Sequence, residues 1–221
     1  MRADEKYFTL GGGDAIQSWQ DLSPNGYSIS GINPNEPILI RNAISGSDVA
    51  RFNGSSQYLE HTTSVSLYNY LHETKGTVGI LYNVTLADPN TRYVFLANQD
   101  FGSGRGIAIH YDDRASASRN DVVLADILNG TAGQSESLQS PNDYFTTQQW
   151  NFLVVNFRYN ESTDSLNYFI NNTNKQKLNR IFSPVIGNAN NDLTIGRIPT
   201  GGRYFQGDIR EIFIVKDRNL T

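Results

Sequence analysis

Asp208 and Glu211, in the run GDIREIFIV (207–215), are the pair of acids to test for hydrolytic chemistry. Retaining glycoside hydrolysis needs two carboxylates about 5–5.5 Å apart across the bond being cut. On a strand this requires even spacing, because successive side chains point to opposite faces. Asp208 and Glu211 stand three apart, so they are expected on opposite faces, as a solvated charge and a scaffold position. His61, His72 and His110 form no metal-ligand spacing, and no G-x-S-x-G elbow marks a nucleophilic serine. The expectation is no catalytic residue and no enzyme.

Oxygen ligands are a better supplied class. The stretch HYDDRASASRND (110–121) offers Asp112, Asp113 and Asp121 as candidates for a possible Ca²⁺, the only cofactor considered. The stretch lacks EF-hand spacing, and a solvated hairpin tip would use the same residues. Sugar binding asks for hydroxyl donors and acceptors beside an aromatic face. If the middle strands form a simple meander, their loops alternate between two ends. One end then collects 98–104, 129–145 and 171–174, and the other collects 86–92, 112–121 and 159–164. The first has the longest loop, so Asn98, Asp100, Phe101, Asn129, Asn142 and Tyr144 become the candidate ligand-binding residues. Of the two tryptophans, Trp19 precedes a Pro-Asn-Gly turn and reads as a wedge at a corner, whereas Trp150 opens a strand expected in the core.

The elements that must hold these residues are strands. No segment sustains apolar spacing at i, i+3, i+4, i+7, apart from a single helical turn within 64–73. Short runs with one apolar face recur instead, among them 49–54, 77–85, 92–98, 105–111, 121–128, 150–159, 165–171, 192–198 and 207–215, bounded by Asn- and Gly-rich turns. In 152–157 Leu153, Val155 and Phe157 share one face, and in 165–171 Leu166, Tyr168 and Ile170 do. This is the pattern of an all-β, antiparallel two-sheet β-sandwich or jelly roll. No linker or internal repeat interrupts it, so one domain over 1–221 is expected. The first 48 residues are looser, and Ile38–Ile40 is expected to wrap a sheet edge.

Composition removes several classes of function. The chain carries a formal net charge of −4 with its charges interspersed, so no basic stripe exists to displace the counterions of nucleic acid. No apolar run approaches the ~20 residues of a membrane span, and membrane insertion is not expected. Cysteine is absent, which excludes disulfides and thiolate metal sites. The N-terminal MRADEKYF has no signal-peptide core, so an extracellular role would imply a piece of a longer chain or assembly into a particle.

Seven stretches taken in order, GGGDAIQSWQDLSPNGYSISG, VARFNGSSQYLE, TVGILYNV, QQWNFLVVNF, LNYFINNT, LTIGR and RYFQGDIREIFIV, resemble the concanavalin A-like lectin/glucanase superfamily, in its laminin G-like branch of bacterial and phage type. The resemblance implies a jelly-roll sandwich, with Ca²⁺ at the rim in many relatives. It also brings enzymes to be weighed, but the E-x-D-x-x-E strand of the glucanases is missing, and AIHY and RYFQG only faintly echo the strands of the lyases. The function it implies is a non-catalytic carbohydrate-binding or adhesion module. Its partners would be cell-surface glycan and neighbouring subunits of a virion or surface assembly, and its location a virion or bacterial cell surface. Alternatives are a purely structural virion domain with protein contacts only, and a polysaccharide hydrolase or lyase.

Overall fold

The computed structural model describes residues 1, 5–85, 91–101, 104–129, 135–142, 147–158, 165–171, 176–179 and 187–218, with side chains for all of these except 129, 135, 136, 158, 165–170 and 176–179. In chain order the strands are β1 (Phe8–Leu10), β2 (Ile16–Gln20), β3 (Ser28–Gly31), β4 (Ile38–Ile44), β5 (Ser47–Asn53), β6 (Leu59–His61), β7 (Lys75–Val84), β8 (Arg92–Ala97), β9 (Arg105–Asp112), β10 (Val122–Asn129), β11 (Ser135–Gln139), β12 (Trp150–Arg158), β13 (Ser165–Ile170), β14 (Gln176–Asn179), β15 (Leu193–Ile195) and β16 (Gln206–Lys216). A single turn of helix, α1 (Tyr70–Glu73), precedes β7. Among the described residues no helix is long and apolar enough to cross a membrane.

The strands build two antiparallel sheets. One has the order β1-β2-β3-β6-β15-β8-β9-β10-β11, and the other β14-β13-β12-β7-β16-β5-β4. Alternation puts Val78, Ile80, Tyr82 and Val84 of β7 and Leu153, Val155 and Phe157 of β12 into the space between the sheets. Ile107, Ile109 and Tyr111 of β9 meet them from the other side, so the core is the product of period-2 patterning on both layers. The result is the expected jelly-roll sandwich.

Four features depart from the expectations. The first 48 residues are not loose: they supply β1 to β4, with β4 forming an edge of the second sheet as Ile38–Ile40 suggested. Trp150 is only half-buried, whereas Trp19 is fully buried against Phe8, with ring centroids 5.2 Å apart. Trp19 is the wedge, and its corner is closed by Asp21, whose carboxylate accepts the Ser23 amide at 3.1 Å. The third departure is a bulge in β16, where Ile209 faces Tyr82 and the next pairing is Glu211 with Leu81. The extra residue puts Asp208 and Glu211 on one face instead of two. Asp208 is nonetheless a scaffold charge, since Arg51 grips it through two bonds of 2.7 and 3.0 Å. The fourth is β11, a polar strand inside 129–145 that pairs along β10. It reverses the direction of the chain ahead of β12.

β16 begins at a point with no room for a side chain. A Cβ on Gly207 would lie 2.1 Å from the carbonyl oxygen of Asn83, and φ there is +154°. Gly207→Ala is expected to cost about 2–3 kcal/mol, because the clash is with backbone that cannot rotate away. Thermal melts of the variant check this, and an unchanged midpoint would contradict the register given for β16 and β7.

Candidate functional site

The outward positions of β8, β9 and β10 carry residues that a solvated sheet face does not need. Opposite the apolar Ile107, Ile109 and Tyr111, strand β9 presents Ala108, His110 and Asp112. The register sets Arg92 beside Asp112, Val94 beside His110, and Asp126 beside Ala108. Two loops close over this face. Phe101 and Ile198 pack on Val94, Ala97 and Ala108, and Asp100 ties the loops together by accepting the Thr200 hydroxyl at 2.8 Å.

Around Phe101 and Asp112 gather four arginines. The guanidinium carbons of Arg92 and Arg203 lie 4.5 and 4.2 Å from the Phe101 ring centroid, and the ring itself stacks on His110 at 4.8 Å. Asp112 is fully buried and accepts two bonds from Arg114, each 2.8 Å, and one from Arg119; Arg92 Nε stands 3.4 Å away. The Nε of the same Arg119 guanidinium donates to Gln139 Oε1 at 3.1 Å. These contacts fix the planar guanidinium forks, which suit carboxylate and sulfate groups of a ligand.

The electrostatics follow from burial. Desolvation pulls Arg92 down to about 10, helped by Arg203 and Arg114. Desolvation also works to raise Asp112, but its bonds to Arg114 and Arg119 and the charge of Arg92 outweigh that and hold it at about 2. Asp126 accepts from the Ser137 hydroxyl, and burial pushes it up to about 7. His110 is depressed well below 6.5 by burial and then by Arg92, so it is a neutral imidazole at physiological pH. Its Nε2 lies 3.2 Å from Asp126 Oδ2 but outside hydrogen-bond alignment, so the contact is imidazole against carboxyl, not an ion pair. Four cations therefore face one full and one partial negative charge, a local surplus of positive charge on an acidic chain.

The sequence-predicted residues divide. Phe101 and Asp112 lie in this cluster, and Asp100 pins its loop. Asn98 is buried as a hairpin lock, with its side-chain oxygen accepting the Ile107 amide at 2.8 Å. Asn129 ends β10 opposite Arg105. Asn142 is at the other end of β11 from Asn129, where its amide reaches the Ser118 carbonyl at 3.3 Å, so the structure does not bring these two together. Tyr144 and the turns at 130–134, 159–164 and 172–175 lie outside the described residues, as do the side chains of Leu166, Tyr168 and Ile170. The calcium candidates are otherwise engaged: guanidinium groups hold Asp112, Asp121 accepts the Tyr111 hydroxyl at 2.8 Å, and Asp113 faces the Asp121 amide at 3.4 Å. Among the described residues no three His, Asp or Glu side chains gather as a metal site. The arginines, His110 and Asp126 were missed. A readable signal existed in β9, where His110 and Asp112 interrupt an otherwise apolar strand at outward positions.

With this geometry in place, comparisons give its context. A laminin G domain model described as the concanavalin A-like lectin/glucanases superfamily matches residues 47–221. No curated protein matches the chain. Among solved structures, the CBM40 of Ruminococcus gnavus IT-sialidase bound to alpha2,3 sialyllactose is similar, with a TM-score of 0.59 at 13% identity over 76% of this chain and 89% of that one. The botulinum neurotoxin serotype D binding domain gives a TM-score of 0.60 at 11% identity, over 94% of this chain and 48% of that one. A structure of botulinum neurotoxin type C, whose cell entry depends on interaction with two ganglioside molecules, gives a TM-score of 0.59 at 14% identity, over 92% of this chain and 48% of that one. The chain thus spans about half the length of the toxin domains it matches, and these likenesses are of fold.

Proposed function

Because the chain belongs to the concanavalin A-like lectin/glucanases superfamily as a laminin G-type domain, we propose that it is a non-catalytic glycan-binding module whose ligand carries an acidic group. The observation that supports this reading is the four-arginine surplus around Phe101 on the outer face of β8–β10. Arg92 and Arg203 flank an aromatic ring, so one patch combines charge with an apolar plane, as recognition of an acidic pyranose requires. The sialyllactose and gangliosides named for the similar structures are acidic glycans of this kind. The non-catalytic reading rests on the carboxylates: Asp112 is clamped by guanidinium groups, and Asp126 is buried against Ser137 and His110. Neither is presented to a substrate as glycoside hydrolysis demands.

An array of sialylated, sulfated and uronic-acid glycans beside neutral counterparts tests the proposal. Binding is expected only to acidic glycans, weakening as salt rises, and Arg203→Ala should reduce it at least tenfold while leaving the melting temperature unchanged. Equal binding to neutral counterparts, or none to any glycan, would refute it. We place such a module on a virion or bacterial surface, where repeated weak sites gain avidity. Detection of the chain in purified particles or surface fractions tests that placement.

A further inference from the structure

A second cleft lies away from the arginine face, where β3 and β6 of one sheet face β16 of the other. Its volume is about 500 Å³, within the range of small-ligand sites. One wall is a row of rings: Tyr27 is 5.4 Å from His61, His61 is 5.8 Å from Tyr68, and Tyr68 is 6.4 Å from Tyr70. The row is held by the Tyr68 hydroxyl, 2.8 Å from His61 Nδ1. Ile212 and Ile214 of β16 form the facing wall, and Asp21, Ser23 and Asn25 of the β2–β3 turn line one end. Lys216 stands over Tyr70 at 5.7 Å, and the Met1 ammonium, which also lines the cleft, interacts with the charge of Asp21.

Tyr27 is 40% exposed and turns part of its ring to the cleft it lines. An acyl chain or an apolar peptide would match only the rings and isoleucines and would meet a polar turn at the other end, where Asp21 accepts the Ser23 amide and the Asn25 amide donates to the Ser23 hydroxyl. A polyanion would meet the Asp21 carboxylate beside the two cations of the cleft, Lys216 and the Met1 ammonium. What fits aromatic planes, aliphatic carbons and a short row of hydroxyl-sized polar groups together is a pyranose, which has an apolar face and a polar rim. We propose that this cleft is a separate binding site for a neutral hexopyranose, stacked on Tyr27. It goes beyond the acidic-glycan reading and stands independently of it.

The test is amide chemical-shift mapping of the full chain titrated with the methyl pyranosides of glucose, galactose and mannose, alongside melting curves. At least one sugar is expected to shift Ser23, Tyr27, His61 and Tyr68 and leave the Phe101 region unmoved. Tyr27→Ala should weaken that binding at least tenfold with an unchanged melting temperature, Tyr27→Phe should retain it, and Arg203→Ala should not affect it. The proposal is overturned if none of the three sugars shifts the cleft at tens of millimolar, or if the shifts persist in Tyr27→Ala. Either result leaves the acidic-glycan reading to its own array.

Discussion

Replacing Trp19 with alanine is expected to lower the unfolding free energy by about 3–5 kcal/mol, the range for truncating a large buried aromatic. The ring is fully buried on β2, stands opposite Phe8 in the register of β1, and faces a core into which Ile16 and Ile29 also point. Little can collapse into the space it leaves, because the corner is fixed by the Asp21–Ser23 bonds and by Gly26 at φ +65°. Loss should unpin β1 to β3 from the first sheet. Trp150→Ala, at a half-buried strand start, serves as the comparison and should cost less than half as much. Urea unfolding of both variants measures this; a larger loss at Trp150 would reverse the assignment of the two tryptophans.

The second large effect belongs to Asp112. Removing one partner of a buried ion cluster costs about 3–5 kcal/mol. Arg114 and Arg119 keep solvent-facing edges, with side-chain exposures of 30% and 19%, so Asp112→Ala is expected near the lower end, about 3 kcal/mol. The same residue sets an acid limb. Its folded pKa of about 2 lies below the unfolded value of ~3.9, so its contribution is full above the unfolded value and lost as pH falls through the folded one. Asp126 acts with the opposite sign. At about 7 it holds a proton in the folded state that the unfolded state has released, so stability falls as pH rises from ~4 to about 7. Urea midpoints from pH 2 to 8, read as the difference between each variant and the wild type, separate the two, because His110, held neutral, contributes a slope opposite to that of Asp126 below ~6.5. Asp126→Asn should gain on the wild type as pH rises from 4 to 7, and Asp112→Ala should lose the acid limb below pH 4. Difference profiles level across both windows would contradict the electrostatics of this face.

The residues explain what could be read in advance. Strands with clean alternation, such as Leu153-Val155-Phe157, announce the side they bury, so the sandwich was legible. β11 was not, because SESLQ shows one apolar residue at an inward position, Leu138, and polar residues elsewhere. Missing it joined Asn98 to Asn142. The bulge at Ile209–Glu211 defeated a parity argument in the same way. Half of the arginine cluster is local, since Arg114 and Arg119 belong to the turn after Asp112. Arg203 arrives from a loop some ninety positions later, and only tertiary packing brings it over Phe101. The tyrosine cleft is likewise an accident of two sheets meeting, visible in no single segment.

The strand order has a consequence in time. β16 lies between β5 and β7, pairing Gln206 with Asn53 and Lys216 with Gly76. On a ribosome, more than a hundred residues separate the completion of β7 from the emergence of β16, an interval on the order of ten seconds. Through that interval two apolar strands of the second sheet wait with a gap between them, and the loop that must close is among the longest the chain contains. Such a topology folds slowly and late. The nascent chain is therefore exposed to strand exchange with its neighbours until β16 arrives, and chaperone demand should persist until β16 has been synthesised.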